Sequence, residues 1–518
     1  NVYNTGTVSG THFVGGVVGY NDGNDDDINN AYYDEQTCNN CNSYGTGKPL
    51  AELATLTIGS KADDKADFPL LEGETESPWA KGIYYDKATG KLANSELPYL
   101  KSLPKPQDVE MEFNVKDNVI QISSTDDLKN FAKLVNEYHI TDVDAELTTN
   151  LTVNSNLLGE NNANVDAETG EYKGNAPANV WTPIGTKDNQ YTGTFDGDGH
   201  TIRGLYFNDE NTDYVGLFGY IGNGAKVHNL GVIDSYSEGR YYVGGVVGYS
   251  AGTITNSYNM GSVSGIFYVG GLVGYNTGVV MNCFNTGLVR VHSSFAGGVV
   301  GHSSGTISNV YSVGSVNGDN LPAGHAIVSG RRKIGSVLGI NDGGTISSAY
   351  YNEDAACINC VSPIEGIGKI AAEFADGTVA QDLHDYYENG VDGSVWGQDL
   401  TKENSLPDFS GEIKGTLHGL TLNTFEGDDR KYPTKYVQEK GLELPTDLVR
   451  ENYVFVGWYE NEQFTGAQVS AIPANSSGAV EYWAKWGPKS AITLNLNGGD
   501  ELPFGEGVTF YGEGKRTA

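Results

Sequence analysis

Residues Tyr242–Asn276 read YVGGVVGYSAGTITNSYNMGSVSGIFYVGGLVGYN, a stretch that nearly repeats itself. The phrase YVGGVVGY (Tyr242–Tyr249) returns as YVGGLVGY (Tyr268–Tyr275). Related copies are FVGGVVGY (Phe13–Tyr20), YVGLFGY (Tyr214–Tyr220), FAGGVVGH (Phe295–His302) and the weaker IGSVLGIN (Ile334–Asn341). Gly216, Gly244, Gly270 and Gly297 step by 28, 26 and 27 residues, and Gly335 follows after 38 because DNLPAGHAIVS (Asp319–Ser329) is inserted. A second motif lies between the copies: TNSYNMGSV, MNCFNTGLV, SNVYSVGSV. It aligns Tyr3, Tyr258, Phe284 and Tyr311 in one column, Val2, Ser257, Cys283 and Val310 in another, and Asn1, Asn256, Asn282 and Asn309 in a third.

A period near 26 residues with two-residue alternation predicts one coil of a β-solenoid per repeat. Stacked coils bring like residues together as aromatic and asparagine ladders. Glycine in a strand costs about 0.5–1 kcal/mol. It is tolerable where the backbone bends or approaches another backbone closely. Val, Leu and Tyr, worth roughly 1.5–3 kcal/mol each when buried, offset that cost only if neighbouring coils cover them.

The phrases YVGGLVGYNTG and NCFNTGLV resemble the GLUG repeat of bacterial surface proteins, found in large adhesins and in the N-terminal regions of IgA-specific metallopeptidases. The resemblance covers residues 1–34 and about 214–352. It implies an all-β fold, a right-handed parallel β-helix with an adhesive or structural role. GTFDGDGHTIRGL (Gly193–Leu205) resembles segments that precede such repeats.

ISSTDDLKNFAKLVNE (Ile122–Glu137) predicts a helix capped by Ser124 or Thr125, with Leu128, Phe131, Ala132 and Val135 on one face. This small helical cap is expected to cover an open coil. After the repeats come SSAYYNEDAACINC, GIGKIAAEF and Trp396; near the start NNAYYDEQTCNNC, GTGKPLAEL and Trp79 run in the same order. We therefore expect residues 1–105 to be the tail of one module and 106–412 a complete second module. ENYVFVGWY (Glu451–Tyr459) and EYWAKW (Glu481–Trp486) resemble the Listeria–Bacteroides, or internalin B-type, repeat, with Asn452 where that family usually has glycine. That resemblance implies a β-grasp-like unit at 413–488, and 489–518 reads as the truncated start of another copy.

Sixty-six Asp and Glu against 32 Lys and Arg give a net charge of −34, which argues against nucleic acid or an anionic membrane as partner. Glycine, at 70 residues, is about twice its usual share, and 32 tyrosines suit polar-faced strands and tight turns. No apolar run approaches a membrane span, and the chain, starting with Asn1 inside a repeat, is expected to be a piece of a longer exported protein.

Cys38-x-x-Cys41 and Cys357-x-x-Cys360 hold equivalent places and are expected to form local disulfides, with a shared zinc site as the sharper alternative; Cys283 reads as a small inward residue. HExxH is missing, and the residues between His384 and Glu388 do not match a zinc helix. Asp196, Asp198, His200 and Arg203 are the candidates for a polysaccharide-cleaving site, but Asp-Gly-Asp-Gly is also ordinary turn chemistry. Asp22, Asp25, Asp26 and Asp27 lack EF-hand spacing and read first as a solvated acidic loop, with a Ca²⁺ site as the alternative. The expectation is a non-enzymatic extracellular or cell-surface protein without cofactor. Its partner would be a host or environmental surface glycan or protein, met through tyrosine-bearing sheet faces and the loop Asp319–Ser329. The alternatives are a passive stalk or filament of copies stacked end to end and, third, a polysaccharide-active enzyme.

Overall fold

The computed structural model describes residues 113–166, 171–318, 333–355, 357–358, 366–388, 391–403, 405–424 and 431–489, together with the backbone of five strands before residue 101. The chain is mostly strand with few helices. It separates into two compact units, Asn1–Thr149 and Asn150–Ala518.

In the first unit, Val2–Asn4, Ala31–Asp34 and Thr46–Lys48 pair in parallel, Tyr3 opposite Tyr32 and Tyr33 opposite Gly47. Trp79–Asp86 and Lys91–Leu100 form an antiparallel hairpin. A second hairpin joins Asn114–Lys116 to Val119–Ile122 through Asp117 and Asn118, both left-handed at φ 53° and 67°, which suits the twist of a two-residue turn. The expected helix, α1 (Thr125–Asn136), follows. The Ser124 hydroxyl accepts the Asp127 N–H at 3.1 Å, Asp126 and Asp127 sit in the positive first turn, and Leu128, Phe131, Ala132 and Val135 are buried. The chain then returns as Asp144–Leu147, parallel to Val119–Ile122.

In the second unit the repeats stack. Phe195, Val227, Ile254, Val280, Ile307 and Ile346 stand opposite one another in successive parallel pairings. A second face repeats the pattern with Phe218, Val247, Val273, Val300 and Leu338. Val215, Val243, Val263, Val269, Val289, Val291, Ala296, Val316 and Ile334 fill the interior between faces. The glycine columns fall in register, Gly244 opposite Gly270, Gly297 and then Gly335. A Cβ on Gly270 would lie 2.0 Å from the Val273 carbonyl oxygen, across a bend at residues 271–272, and 2.7 Å from the Gly301 nitrogen of another coil, so both reasons anticipated for glycine apply.

The asparagine column holds the corner. Asn229, Asn256, Asn282 and Asn309 all have left-handed backbones, φ between 48° and 55°. Asparagine is among the side chains that enter this region most readily. Asn256 donates to Asn229 at 3.0 Å and Asn309 to Asn282 at 2.7 Å. A second asparagine ladder is wholly buried: Asn259 Nδ2 donates to Asn285 Oδ1 at 3.0 Å, and each side chain also bonds the backbone two residues on.

After the last coil the chain forms α2 (Ala371–Ala375) and α3 (Thr378–His384) and lies back over the stack. Phe374, Val379, Leu383 and Trp396 close over the column Phe284–Tyr311–Tyr350. The Tyr311 hydroxyl donates to the Pro407 carbonyl at 2.6 Å, and Asn309 and Asn282 donate to the carbonyls of Leu383 and Asp392. Beyond it, Leu417–Asn423, Lys435–Val437, Tyr453–Tyr459 and Val480–Pro488 make a four-stranded mixed sheet around Trp458 and Tyr482. Asn452 has φ 62°, a left-handed conformation that asparagine enters more readily than most side chains.

Candidate functional site

The two tyrosines of each VGG motif come together on one surface of the stack. Tyr242 takes a left-handed backbone (φ 61°), as do Tyr214 (64°) and Tyr268 (55°), which turns these rings outward while Val215, Val243 and Val269 point in. Such a backbone costs about 1–2 kcal/mol per residue, and stacking offsets part of that cost. Tyr214, Tyr242, Tyr268 and Phe295 stack coil on coil at 5.0, 5.3 and 5.2 Å between ring centres. Tyr220, Tyr249, Tyr275 and His302 form a parallel ladder at 4.3, 5.0 and 4.3 Å. Edge contacts near 80° lock the ladders together, as between Tyr242 and Tyr249 (78°) and between Tyr268 and Tyr275 (81°). Tyr241 stacks on Phe267 at 4.6 Å and carries the Arg240 guanidinium, itself paired with Asp213.

The tyrosines of this strip are half-buried and His302 is buried. Partial burial raises the Tyr242 phenol to about 12, helped by the neighbouring hydroxyls; it also raises Tyr214, Tyr220 and Tyr275. Burial lowers the His302 imidazole, whose Nδ1 finds no partner. The ring faces are spent on one another, so the strip offers solvent ring edges and hydroxyls. The tyrosines lie on one sheet face of the stack, and in-register stacking turns each ring across it.

A polar trough of about 520 Å³ is lined by Lys226, Thr253, Thr277, Ser304, Thr306 and Thr345 with the glycines between them. Its backbone N–H groups are satisfied by the preceding coil, as in Thr253 to Ala225 and Thr306 to Gly278.

Asp196, Asp198, His200 and Arg203 do not share a cleft. Asp196 accepts the Asp198 N–H at 2.9 Å and the Asn229 amide at 3.0 Å, with His228 Nδ1 at 3.2 Å. Asp198 and Gly199 form a left-handed turn, φ 46° and 76°. Arg203 pairs instead with Asp234 at 3.0 Å, and Asp234 accepts the N–H groups of Leu157 and Leu158. These contacts are those of turns and coil packing. His384 ends α3 and lies 3.2 Å from Asp385, so residue 388 is not on that helix.

Cys283 is buried, its thiol pushed up to about 12 by burial, as expected for an inward position. Cys357 lies on the short strand Cys357–Ile358 opposite Val316. Cys38, Cys41, Cys360, the acidic cluster Asp22–Asp27 and the loop Asp319–Ser329 fall outside the described residues. Among the described residues no group of His, Cys, Asp and Glu is placed to hold a metal ion, and no helix is long and apolar enough to cross a membrane.

One coil of the stack, residues 265–291, matches the family model described as the GLUG motif. Over 344 residues, 50% of this chain, the sequence is 33% identical to halomucin of Haloquadratum walsbyi, and the match spans 4% of halomucin. Over 79 residues, 15% of this chain, it is 38% identical to a protein of Evansella cellulosilytica assigned as a Gly-rich membrane protein, 9% of which is matched. The chain thus spans a small part of the length of these relatives. A crystal structure assigned as an immunoglobulin A1 protease from Bacteroides ovatus superposes with a TM-score of 0.37 at 16% identity, covering 58% of this chain and 95% of that one.

Proposed function

We propose that the chain is part of a large cell-surface or secreted protein, in which right-handed parallel β-helix modules stand in series and act in adhesion without catalysing a reaction. The observation that carries this reading is the in-register column from Phe195 through Ile254 to Ile346. A stack in which each coil touches only its neighbours is stiff along its axis and suited to extension. The GLUG match and the similarities to halomucin and to the Gly-rich membrane protein support a surface setting. The modules would be 1–105, 106–412, a Listeria–Bacteroides-type β-grasp-like unit at 413–488, and the start of another at 489–518, with disulfides Cys38–Cys41 and Cys357–Cys360. Ala31–Asp34 follows Val2–Asn4 in the same register as Ala349–Tyr351 follows Val310–Ser312, which favours a duplicated module end.

The partner would be a surface glycan or protein. A passive spacer is the second reading, favoured by the ring faces being consumed within the ladders. The test is the full chain displayed on beads against arrays of glycans and extracellular proteins, with sedimentation for self-association. Saturable binding to an array member supports adhesion. A silent array with a monodisperse monomer replaces it with the spacer.

A further inference from the structure

The aromatic strip keeps phenols of different coils in permanent contact. Tyr220 and Tyr249 stack at 4.3 Å, Tyr249 and Tyr275 at 5.0 Å, Tyr214 and Tyr242 at 5.0 Å, and Tyr242 and Tyr268 at 5.3 Å. All six rings are half-buried, so an oxidant in solution reaches their edges. We propose that this strip is an oxidative modification site, where a peroxide-class oxidant acting in one-electron steps couples tyrosines of successive coils into dityrosine. This goes beyond the adhesive reading and does not depend on it.

The chemistry balances on the residues and the oxidant alone. Each of two phenols gives up one electron and one proton. The two radicals join by a carbon–carbon bond between ring carbons ortho to the hydroxyls. The ring hydrogens at those carbons then move to the oxygens and restore both phenols. The two electrons break the O–O bond of the peroxide, and with hydrogen peroxide the two protons complete two waters. Coupling between tyrosines of separate molecules requires two tyrosyl radicals to meet by diffusion. Here parallel strands hold the second ring in place, which converts an encounter into an intramolecular step.

The position within the fold is specific. Tyrosines of different coils also meet off the strip, as Tyr311 opposite Tyr350 and Tyr206 beside Tyr236, but those four rings are buried away from an oxidant in solution. The half-exposed strip has tyrosine next to tyrosine over three coils, ending at Phe295 and His302.

The test treats the full chain, dilute enough to be monomeric, with persulfate and a light-driven ruthenium sensitiser, then reads dityrosine fluorescence, mass and peptides. Trypsin cleaves after Arg203, Lys226, Arg240 and Arg290, so a Tyr220–Tyr249 or Tyr214–Tyr242 bond joins peptides 204–226 and 241–290. The expected product is that joined pair, two hydrogens lighter, within the monomer. The Tyr242→Phe/Tyr249→Phe variant, which keeps both rings, loses it at least tenfold, whereas Tyr387→Phe, at a tyrosine 80% exposed, leaves it unchanged. Thermal melts by circular dichroism establish that each variant is folded, and Tyr220→Phe/Tyr214→Phe replaces the first variant if it is not. An unchanged yield in the folded variant, or bonds found only between molecules or at tyrosines off the strip, overturns the proposal.

Discussion

Asn309 donates its side-chain amide to the side-chain oxygen Oδ1 of Asn282 at 2.7 Å, across two coils whose backbones are both left-handed at these residues. Each amide also reaches the segment lying over the stack, at the carbonyls of Leu383 and Asp392. One side-chain type thus supplies the corner conformation, the bond along the stack and the bond to the covering segment.

Replacing Asn282 tests that convergence. Asn282→Ala loses these bonds at about 1 kcal/mol each and adds about 1 kcal/mol of backbone strain. A total loss of roughly 2–4 kcal/mol in urea unfolding is expected. Asn282→Gly keeps the backbone comfortable and should recover about 1 kcal/mol of it.

The glycines divide into two kinds. At Gly270 an added Cβ would lie 2.0 Å from the Val273 oxygen, and backbone cannot swing aside as a side chain does. Gly270→Ala should cost more than about 3 kcal/mol or abolish folding, read by thermal melting. At Gly199 nothing lies within 4 Å, and only φ 76° opposes a side chain. Gly199→Ala should cost about 1 kcal/mol.

Alkali should loosen the strip. The Tyr242 phenol is raised from 10.0 to about 12 in the fold. Between these values the unfolded chain has released its proton and the folded chain has not, so stability falls as pH rises through that window. Ultraviolet phenolate difference spectra between the unsubstituted chain and Tyr242→Phe should show the Tyr242 ring ionising well above its ordinary value of 10.0 in the fold, and melting temperatures should drop between pH 10.0 and about 12. A Tyr242 ring ionising at its ordinary value in the folded chain would contradict the burial that sets the shift.

Cys283 should be inert while the chain is folded. Its thiol is buried and raised to about 12. Near neutral pH, labelling by a maleimide should proceed at least a hundredfold faster in urea than in buffer, because only the thiolate reacts and only unfolding exposes it.

The sequence shows the stack because stacking is a translation: residues one repeat apart must meet, and the columns of Gly244, Tyr258 and Asn256 could be read before any coordinates. The C-terminal cover could not be read this way. Phe374, Trp396 and Phe409 meet Phe284 and Tyr311 across a long separation, and no periodicity links them. Ring direction was also hidden. Spacing gives the column, while the left-handed φ at Tyr214, Tyr242 and Tyr268 decides how the rings lie. For the site candidates, Asp196-Gly-Asp198-Gly was legible as a turn, but the partner of Arg203, Asp234, lies one coil away.

The strands Val316–Gly318 and Lys333–Gly335 flank the insertion, yet both pair with the preceding coil as any uninterrupted coil would, Val291 opposite Gly318 and Phe295 opposite Lys333. Extra sequence at that junction leaves the pairing on either side untouched. The junction thus accommodates a change in chain length while the ladder on both sides keeps its step, so coil geometry and connection length are set independently at this point.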